Sequence, residues 1–355
     1  MKMLILGARG FLGSRLVRYY QDKYEIITPG HNQVDITDRA SLEACLQRHR
    51  PDLVICTAAV SDTGRCQQDP QTSYQINVTG SVNVAAVSGK LGIRCVLCSS
   101  DQVYNGSQNL RPHKQEVREG ESDVALTQQN SMYPRPHKET EALVPLTVYG
   151  CQKLEMERQA LRANGDAVIL RLPWMYSVEH DFENQHGDFM TGFLKQAREA
   201  AVSDNADDRQ NEANQVETIG NQREEAGRKD GEQGRSPAEV VLTYAARDYR
   251  AVTNVREIVE NMEAVAALPG GVYNYGSFSD CSFYDTMAQV MDALHDRSLL
   301  LNVRVQKDEQ HLDDHPRNLC MDLTNIETHG IRFTPTVPAL AEAICRAINL
   351  MERID

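Results

Sequence analysis

The apolar run Met3-Leu4-Ile5-Leu6 leads straight into Gly7-Ala8-Arg9-Gly10-Phe11-Leu12-Gly13, and a helical repeat follows from Phe11 to Tyr20. A short strand that ends in regularly spaced glycines and feeds a helix leaves few folds open. Glycines allow the tight strand-to-helix turn, let backbone N–H groups approach a pyrophosphate, and let helix and strand pack closely. The helix then aims its positive N-terminus at the phosphates. A glycine triplet alone is a weak signal, since glycine turns are common. Its place after an N-terminal strand in an alternating chain makes nucleotide binding the expectation.

That alternation continues. Strands are expected at Tyr24 to Thr28, Leu53 to Thr57, Ile93 to Ser99 and Ala167 to Leu172. Helices are expected at Ala40 to His49, with Thr37 or Asp38 as cap and Pro51 as stop, at Ser73 to Leu91, and over Tyr149 to Asn164. The spacing predicts an α/β fold, a Rossmann-type doubly wound parallel sheet covered on both faces. Further elements at Tyr249 to Ala267, Gly271 to Tyr275, Phe283 to Leu294 and Thr336 to Met351 supply a smaller C-terminal substrate-binding lobe. The nucleotide-binding domain is placed at residues 1–172 and most of the lobe at 173–355, with some later elements returning to the first domain.

Two polar stretches interrupt the pattern. Residues 107–138 are rich in Gln, Pro and charge and read as an extended loop. Residues 203–237 lack aromatics, with Val216 and Ile219 as their only large aliphatics. Such a segment cannot bury enough apolar surface to offset its ordering entropy, so a disordered insertion is expected. It also accounts for a mean hydropathy of −0.48 in a chain that is 41% hydrophobic. The formal charge of −13 (37 Lys and Arg against 50 Asp and Glu) disfavours a nucleic-acid partner. No apolar run approaches the roughly 20 residues of a membrane span, and the N-terminal run is too short for a signal-peptide core. The expectation is a cytoplasmic protein that does not engage membranes. The nine cysteines show no metal-ligand spacing; Cys95 and Cys98 sit in an apolar run and read as core thiols, so no metal is expected.

The choice of nicotinamide cofactor turns on the end of the second strand. An NAD-selective site usually places an acid there for the ribose 2′-hydroxyl. Here the strand ends Ile26-Ile27-Thr28-Pro29-Gly30-His31, without an acid, while Arg9 stands inside the glycine loop. A cation there can pair with a 2′-phosphate, which favours NADP(H) over NAD(H); the alternative is that Arg9 merely faces solvent. Asp35, just before Ile36, can accept from the adenine amino group.

Tyr149-Gly150-Cys151-Gln152-Lys153 is Y-x-x-x-K at a helix start, which puts the phenol and the ammonium one turn apart on one face. A phenol near its reference value is a poor acid–base at neutral pH. A neighbouring ammonium and the charge of an oxidised nicotinamide favour the phenolate. The Y-x-x-x-K pattern arises often by chance. Ser99-Ser100-Asp101 at the end of the fourth strand strengthens it, because the carboxyl ends of the strands line the ligand crevice in a doubly wound sheet. Ser100 can then hydrogen-bond the carbonyl oxygen that Tyr149 would protonate.

These segments, together with Thr57-Ala58-Ala59 and Asn77-Val78-Thr79-Gly80, occur in the order of the extended short-chain dehydrogenases/reductases, and the sequence most resembles the dTDP-4-dehydrorhamnose reductases. The likeness runs through Ser99-Ser100-Asp101-Gln102-Val103-Tyr104-Asn105-Gly106, through Glu139, Pro145, Tyr149-Gly150, Lys153 and Glu157, and through Arg171 to Tyr176. It extends late in the chain to Pro316-Arg317-Asn318-Leu319 with Asp322. The resemblance implies Ser100, Tyr149 and Lys153 as the catalytic set, with Tyr149 as acid–base and Lys153 anchoring the cofactor ribose. Residue reading and resemblance together assign the cofactor to Gly7, Arg9, Gly10, Phe11, Leu12, Gly13, Asp35, Ile36, Ala58, Ala59, Asn77, Tyr149 and Lys153. The sugar is assigned to Ser100, Asp101 and Trp174, with a core anchor as the alternative role for Trp174.

Departures from the family concern substrate more than chemistry. Gln102 replaces the usual tyrosine, Pro173 replaces a serine, and the insertion at 107–138 falls where a substrate-covering loop would lie. Some members bind magnesium between subunits, but no acidic constellation here supports a metal; a homodimer is admissible on the same resemblance. The first functional expectation is an NADPH-dependent reductase of a 4-keto nucleotide sugar. The second is a non-catalytic NADP-binding subunit, as in the methionine adenosyltransferase regulatory subunits, which resemble the same reductases. An epimerase or dehydratase with retained cofactor is a third, for which the extra acid–base residues are not recognisable.

Overall fold

The computed structural model of the chain describes residues 1–106, 110–112, 132–178, 189–196, 240–310 and 316–351. The expected disordered insertion at 203–237 lies outside these residues, as does most of the loop at 107–138. Strand β1 (Lys2–Leu6) is buried on both sides, which is why it reads as a continuous apolar run rather than an alternating one. It passes through the glycine turn into α1 (Phe11–Tyr20), then to β2 (Glu25–Ile27), α2 (Arg39–His49) and β3 (Leu53–Cys56). Of the two candidate caps on α2, Asp38 serves, accepting from the amides of Ala40 and Ser41.

The helix expected over Ser73 to Leu91 is more broken than its periodicity suggests. After α3 (Thr63–Gln68), which the sequence did not announce, it falls on the end of α4 (Pro70–Tyr74), a π-helical turn (Gln75–Gly80) and α5 (Ser81–Leu91). Pro70 starts a new helix because it needs no amide donor in the first turn, and Asp69 caps it through the Thr72 amide. Next come β4 (Arg94–Ser100), a 3₁₀ turn (Asp101–Tyr104), and the short antiparallel pair β5 (Leu110–Pro112) and β6 (Met132–Pro134). Beyond that pair the chain re-enters the core at His137, whose amide donates to the Cys320 carbonyl at 2.8 Å. The following elements are α6 (Val148–Ala163), β7 (Val168–Leu172) and β8 (Trp174–Tyr176).

The central sheet has six parallel strands, completed by β12 (Gly271–Asn274), in the order β2–β1–β3–β4–β7–β12. Alternate residues of each strand feed two separate cores. Met3, Ile5, Ile55 and Leu170 pack with Leu16 and Tyr20 of α1 on one face. Leu4, Leu6, Val54 and Ile169 pack with Leu46, Val87 and Met156 on the other. The doubly wound α/β expectation therefore holds. The chain leaves β1 outward to β2 and returns on the far side to β3, so the crevice opens between the carboxyl ends of β1 and β3.

The remaining elements pack in part on the first face of the sheet, through Val255, Ile258, Met262 and Ile326, and in part in a third core. Helix α7 (189–196) precedes β9 (Val240–Ala245), β10 (Asp248–Tyr249), β11 (Val252–Asn254), α8 (Val255–Glu260) and α9 (Met262–Val265). After β12 follow α10 (Phe283–His295), β13 (Val303–Asp308), β14 (Arg317–Asn318), α11 (Thr324–Thr328) and α12 (Thr336–Met351). Pairs β8–β11, β9–β13 and β10–β14 are all parallel. Phe193, Leu242, Met287, Leu294 and Ile344 fill the core between them. Among the described residues, no helix is long and apolar enough to cross a membrane.

Candidate active site

The glycine turn is built for close approach. A Cβ on Gly13 would run into the Gly7 carbonyl, so α1 can sit against the end of β1 only with glycine there. Gly10 occupies the N-cap of α1 and, having no side chain, leaves the first amides of the helix without a capping partner. Those amides are the donors a pyrophosphate takes. Thr57, just after β3, locks the turn by donating its hydroxyl to the Leu6 and Gly7 carbonyls at 3.0 and 3.1 Å. Ala58 and Ala59 follow directly along the crevice wall. Phe11 and Leu12 open α1; Leu12 is buried, and Phe11 carries the Arg15 guanidinium 4.0 Å from its ring centroid.

Arg9 is exposed on the rim of the turn, with no hydrogen-bond or ion-pair partner among the described residues. No acid follows β2. Asp35 lies beyond it with one carboxylate oxygen taken by the Thr37 amide (2.9 Å) and hydroxyl (2.8 Å), bonds that hold its carboxyl below the ordinary range. Ile36 is buried and lies close beneath Gly80.

Asn77 sits in the π-helical turn and is fully buried. Its carbonyl accepts from the Val60 amide at 2.8 Å, and its amide donates to the Val60 carbonyl at 3.0 Å and to Gln152 Oε1 at 2.9 Å. These bonds make it a brace between the loop after β3 and helix α6. Gln152 in turn donates to Ser73 Oγ and the Pro70 carbonyl, so a residue that carried no sequence signal is central to the wall.

Ser100, Tyr149 and Lys153 meet at the carboxyl end of β4. Thr147 caps α6 through the Gly150 amide at 3.1 Å, and a Cβ on Gly150 would collide with the Gln102 carbonyl, so Tyr-Gly lets α6 start hard against the 3₁₀ turn. The Ser100 hydroxyl is among the groups acting on the buried Tyr149 phenol. Lys153 is 2% exposed; its Nζ donates to the Cys98 carbonyl at 2.8 Å and lies 5.6 Å from the Tyr149 ring centroid.

The electrostatics differ from the expectation of a phenol tuned toward ionisation by its lysine. Burial dominates and pushes the Tyr149 phenol above its ordinary value, with the nearby Ser100 hydroxyl opposing. Burial likewise lowers Lys153. Burial thus works against the charged form of both groups. Cys95 and Cys98, both pushed up to about 12 by burial, are inert thiols, and no metal-holding cluster occurs among the described residues.

Asp101 is 3% exposed beside this triad. Its Oδ1 accepts from Ser100 Oγ at 3.1 Å and Gln102 Nε2 at 3.4 Å, while Oδ2 has no hydrogen-bond partner among the described residues. Burial raises its carboxyl, with the charges of Arg250 and Arg317 opposing. Both arginines gather on Asp248. Arg317 makes two bonds, at 2.8 and 2.6 Å, and Arg250 an ion pair at 3.0 Å. Sequence reading missed Arg250 and Asp248, since nothing local marks two charges that are buried only once the lobe docks. The Arg250 guanidinium also lies 5.0 Å from the Trp174 ring centroid. Trp174, 41% exposed, leans on Phe189 and Phe283 and stands just past the carboxyl end of β7. It is thus neither a buried core anchor nor a free surface residue.

Comparison with known proteins agrees with this architecture. A family model described as RmlD substrate binding domain matches residues 1–223. The spore coat polysaccharide biosynthesis protein SpsK of Bacillus subtilis is 24% identical over 336 residues, covering 93% of this chain and 92% of that protein. A dTDP-4-dehydrorhamnose reductase of Aggregatibacter actinomycetemcomitans is 23% identical over 333 residues, covering 92% of each. Among solved structures, dTDP-4-dehydrorhamnose reductase from Bacillus anthracis in complex with NADP superposes with a TM-score of 0.68 at 17% identity, covering 98% of this chain and 99% of that one.

Proposed function

The chain belongs to the RmlD substrate binding domain family, and from that membership and the site's geometry we propose that it is an NADPH-dependent reductase of a 4-keto nucleotide sugar. The observation that carries this reading is the convergence of Ser100, Tyr149 and Lys153 at the carboxyl end of β4, beside a glycine turn with open amides. The relatives named as dTDP-4-dehydrorhamnose reductases support the substrate class.

The residues present fit a nicotinamide dinucleotide. Glycines at 7, 10 and 13 clear the approach, the uncapped amides of α1 suit the pyrophosphate, and Arg9 suits a 2′-phosphate where no acid would oppose it. Bound there, the reduced cofactor supplies a hydride. The chain supplies the rest. Ser100 orients the ketone oxygen, and Tyr149, kept protonated by burial, donates its proton as charge develops on that oxygen. Lys153, fixed by the Cys98 carbonyl, places a cation beneath the resulting phenolate. Asp101 and Trp174 face the sugar.

The test is to follow NADPH and NADH oxidation across a panel of 4-keto nucleotide sugars. Oxidation with one of them supports the reading. A chain that binds NADPH and reduces none of them is instead a binding subunit.

A further inference from the structure

Arg250 stands in the link between β10 and β11, with only 7% of the residue exposed. Among the described residues its guanidinium donates no hydrogen bond. Nε is buried and lies 3.0 Å from Asp248 Oδ2, yet it is not aligned for a hydrogen bond to that oxygen. Asp248 does not need it, since Arg317 already grips both carboxylate oxygens at 2.8 and 2.6 Å. Burying donors that lack acceptors is costly, the more so in a charged group. The result is a fixed cation whose hydrogen-bonding capacity is unused inside the fold.

The sheet places this cation at the reacting end of the site. Leu172 of β7 pairs with Ser100 of β4, and Pro173 carries the chain on to Trp174. Trp174 in turn pairs with Val252, two residues past Arg250. The guanidinium lies 5.0 Å from the centroid of the Trp174 ring, which keeps 41% of its residue exposed. Contact with the ring and the charge of Asp248 hold the group in place. With Nε beside Asp248, the two terminal nitrogens remain as a planar fork, the shape that takes two oxygens of one anion. Asp248, Arg250 and Arg317 together carry one positive charge in excess. Burial holds the Asp101 carboxyl above its ordinary range, which limits how far that acid cancels the excess.

We propose that Arg250 is a substrate-binding residue whose guanidinium receives an oxyanion of the nucleotide sugar, carried either as a carboxylate on the sugar or in the diphosphate. This rests on the reductase reading above, which brings a nucleotide sugar to Ser100 and Trp174.

The test is isothermal titration of the full chain, with NADP+ present, against UDP, UDP-glucose and UDP-glucuronate and their three thymidine counterparts. Arg250→Met keeps an apolar stem against Trp174 and removes the charge. It should weaken binding of the oxyanion-bearing probe by more than about tenfold, the usual worth of a charge-assisted contact. Equal losses for all three members of a series identify the diphosphate as the anion. A loss confined to the glucuronate compound identifies the sugar carboxylate. The urea midpoint and the cofactor affinity should hold. Should Arg250→Met fail to fold, Arg250→Gln, which keeps a polar group beside Asp248, carries the same expectation. A variant that binds every probe as the wild type does would overturn the proposal. So would a loss of cofactor affinity and urea midpoint alongside the probes, which would assign Arg250 to the fold, and so would a wild type that binds none of them. A wild type that binds the probes but reduces no 4-keto nucleotide sugar overturns the reductase reading alone, and the titrations still decide the role of Arg250.

Discussion

Arg171 holds Glu157 with two hydrogen bonds, Nε to Oε1 at 3.0 Å and Nη2 to Oε2 at 2.7 Å, both side chains 3% exposed. The pair fastens α6 to β7, and Ser99 donates to the same carboxylate at 2.5 Å, so β4 is drawn in as well. Lys153 stands one helical turn before Glu157, and Ser100 one residue after Ser99. The geometry of the catalytic set thus hangs on an ion pair beneath it.

Breaking that pair should be expensive. Glu157→Ala leaves a buried guanidinium without its counter-charge, for which about 3–5 kcal/mol is typical. Urea unfolding should show that loss. The paired change Glu157→Met with Arg171→Leu should recover much of it, because the uncompensated charge then disappears.

Tyr149→Phe keeps the ring's packing and removes the proton donor. Turnover should fall by about 10²–10⁴-fold, while NADPH binding, measured by cofactor fluorescence, should persist. Lys153→Met should lower both turnover and cofactor affinity. Full activity in Tyr149→Phe would exclude the mechanism.

Arg9→Ala should narrow the preference for NADPH over NADH by more than about tenfold, the usual worth of one charge-assisted contact. Isothermal titration with each cofactor measures it. A wild-type chain that binds NADH as tightly as NADPH would refute the assignment.

Gly13→Ala forces a methyl group into the Gly7 carbonyl and must push α1 away from β1. Weaker cofactor binding and a lower Tm are expected. An equivalent Ala placed at Gly165, where a Cβ meets nothing within 4 Å, should change neither.

Burial raises the Asp248 carboxyl, but the hydrogen bonds from Arg317 and the charge of Arg250 outweigh it and leave the group below its reference of 3.8. A carboxyl depressed in the folded state contributes stability above its unfolded value and loses it as pH falls through the folded value. The denaturant midpoint of the wild type should therefore drop on acidification below about pH 4, and Asp248→Asn should flatten that acid limb. Identical acid limbs would show that the pair contributes nothing.

Much of the site was legible because its signals are local. The glycine turn, the Ser100 strand end and the Tyr149–Lys153 spacing each lie within one element and its boundary. The role of Asn77 was not, because its partners Val60 and Gln152 stand 17 and 75 positions away. Periodicity also smoothed over the π-helical turn at Gln75–Gly80, since an apolar stripe survives an extra residue per turn. The phenol's electrostatics escaped for a related reason. Sequence names the ammonium one turn from Tyr149, but only the fold says how much water both have lost.

Strand β12 pairs Gly271 with Val168 and Asn274 with Arg171, so the nucleotide-binding sheet takes its last strand from about a hundred residues beyond the strand it joins. Such a distant pairing raises contact order and delays closure during folding. A nascent chain on the ribosome can complete the glycine turn early, yet β7 keeps an unpaired edge until most of the polypeptide has emerged. Through that interval the bare edge of β7 is the natural seam for misassembly between neighbouring chains.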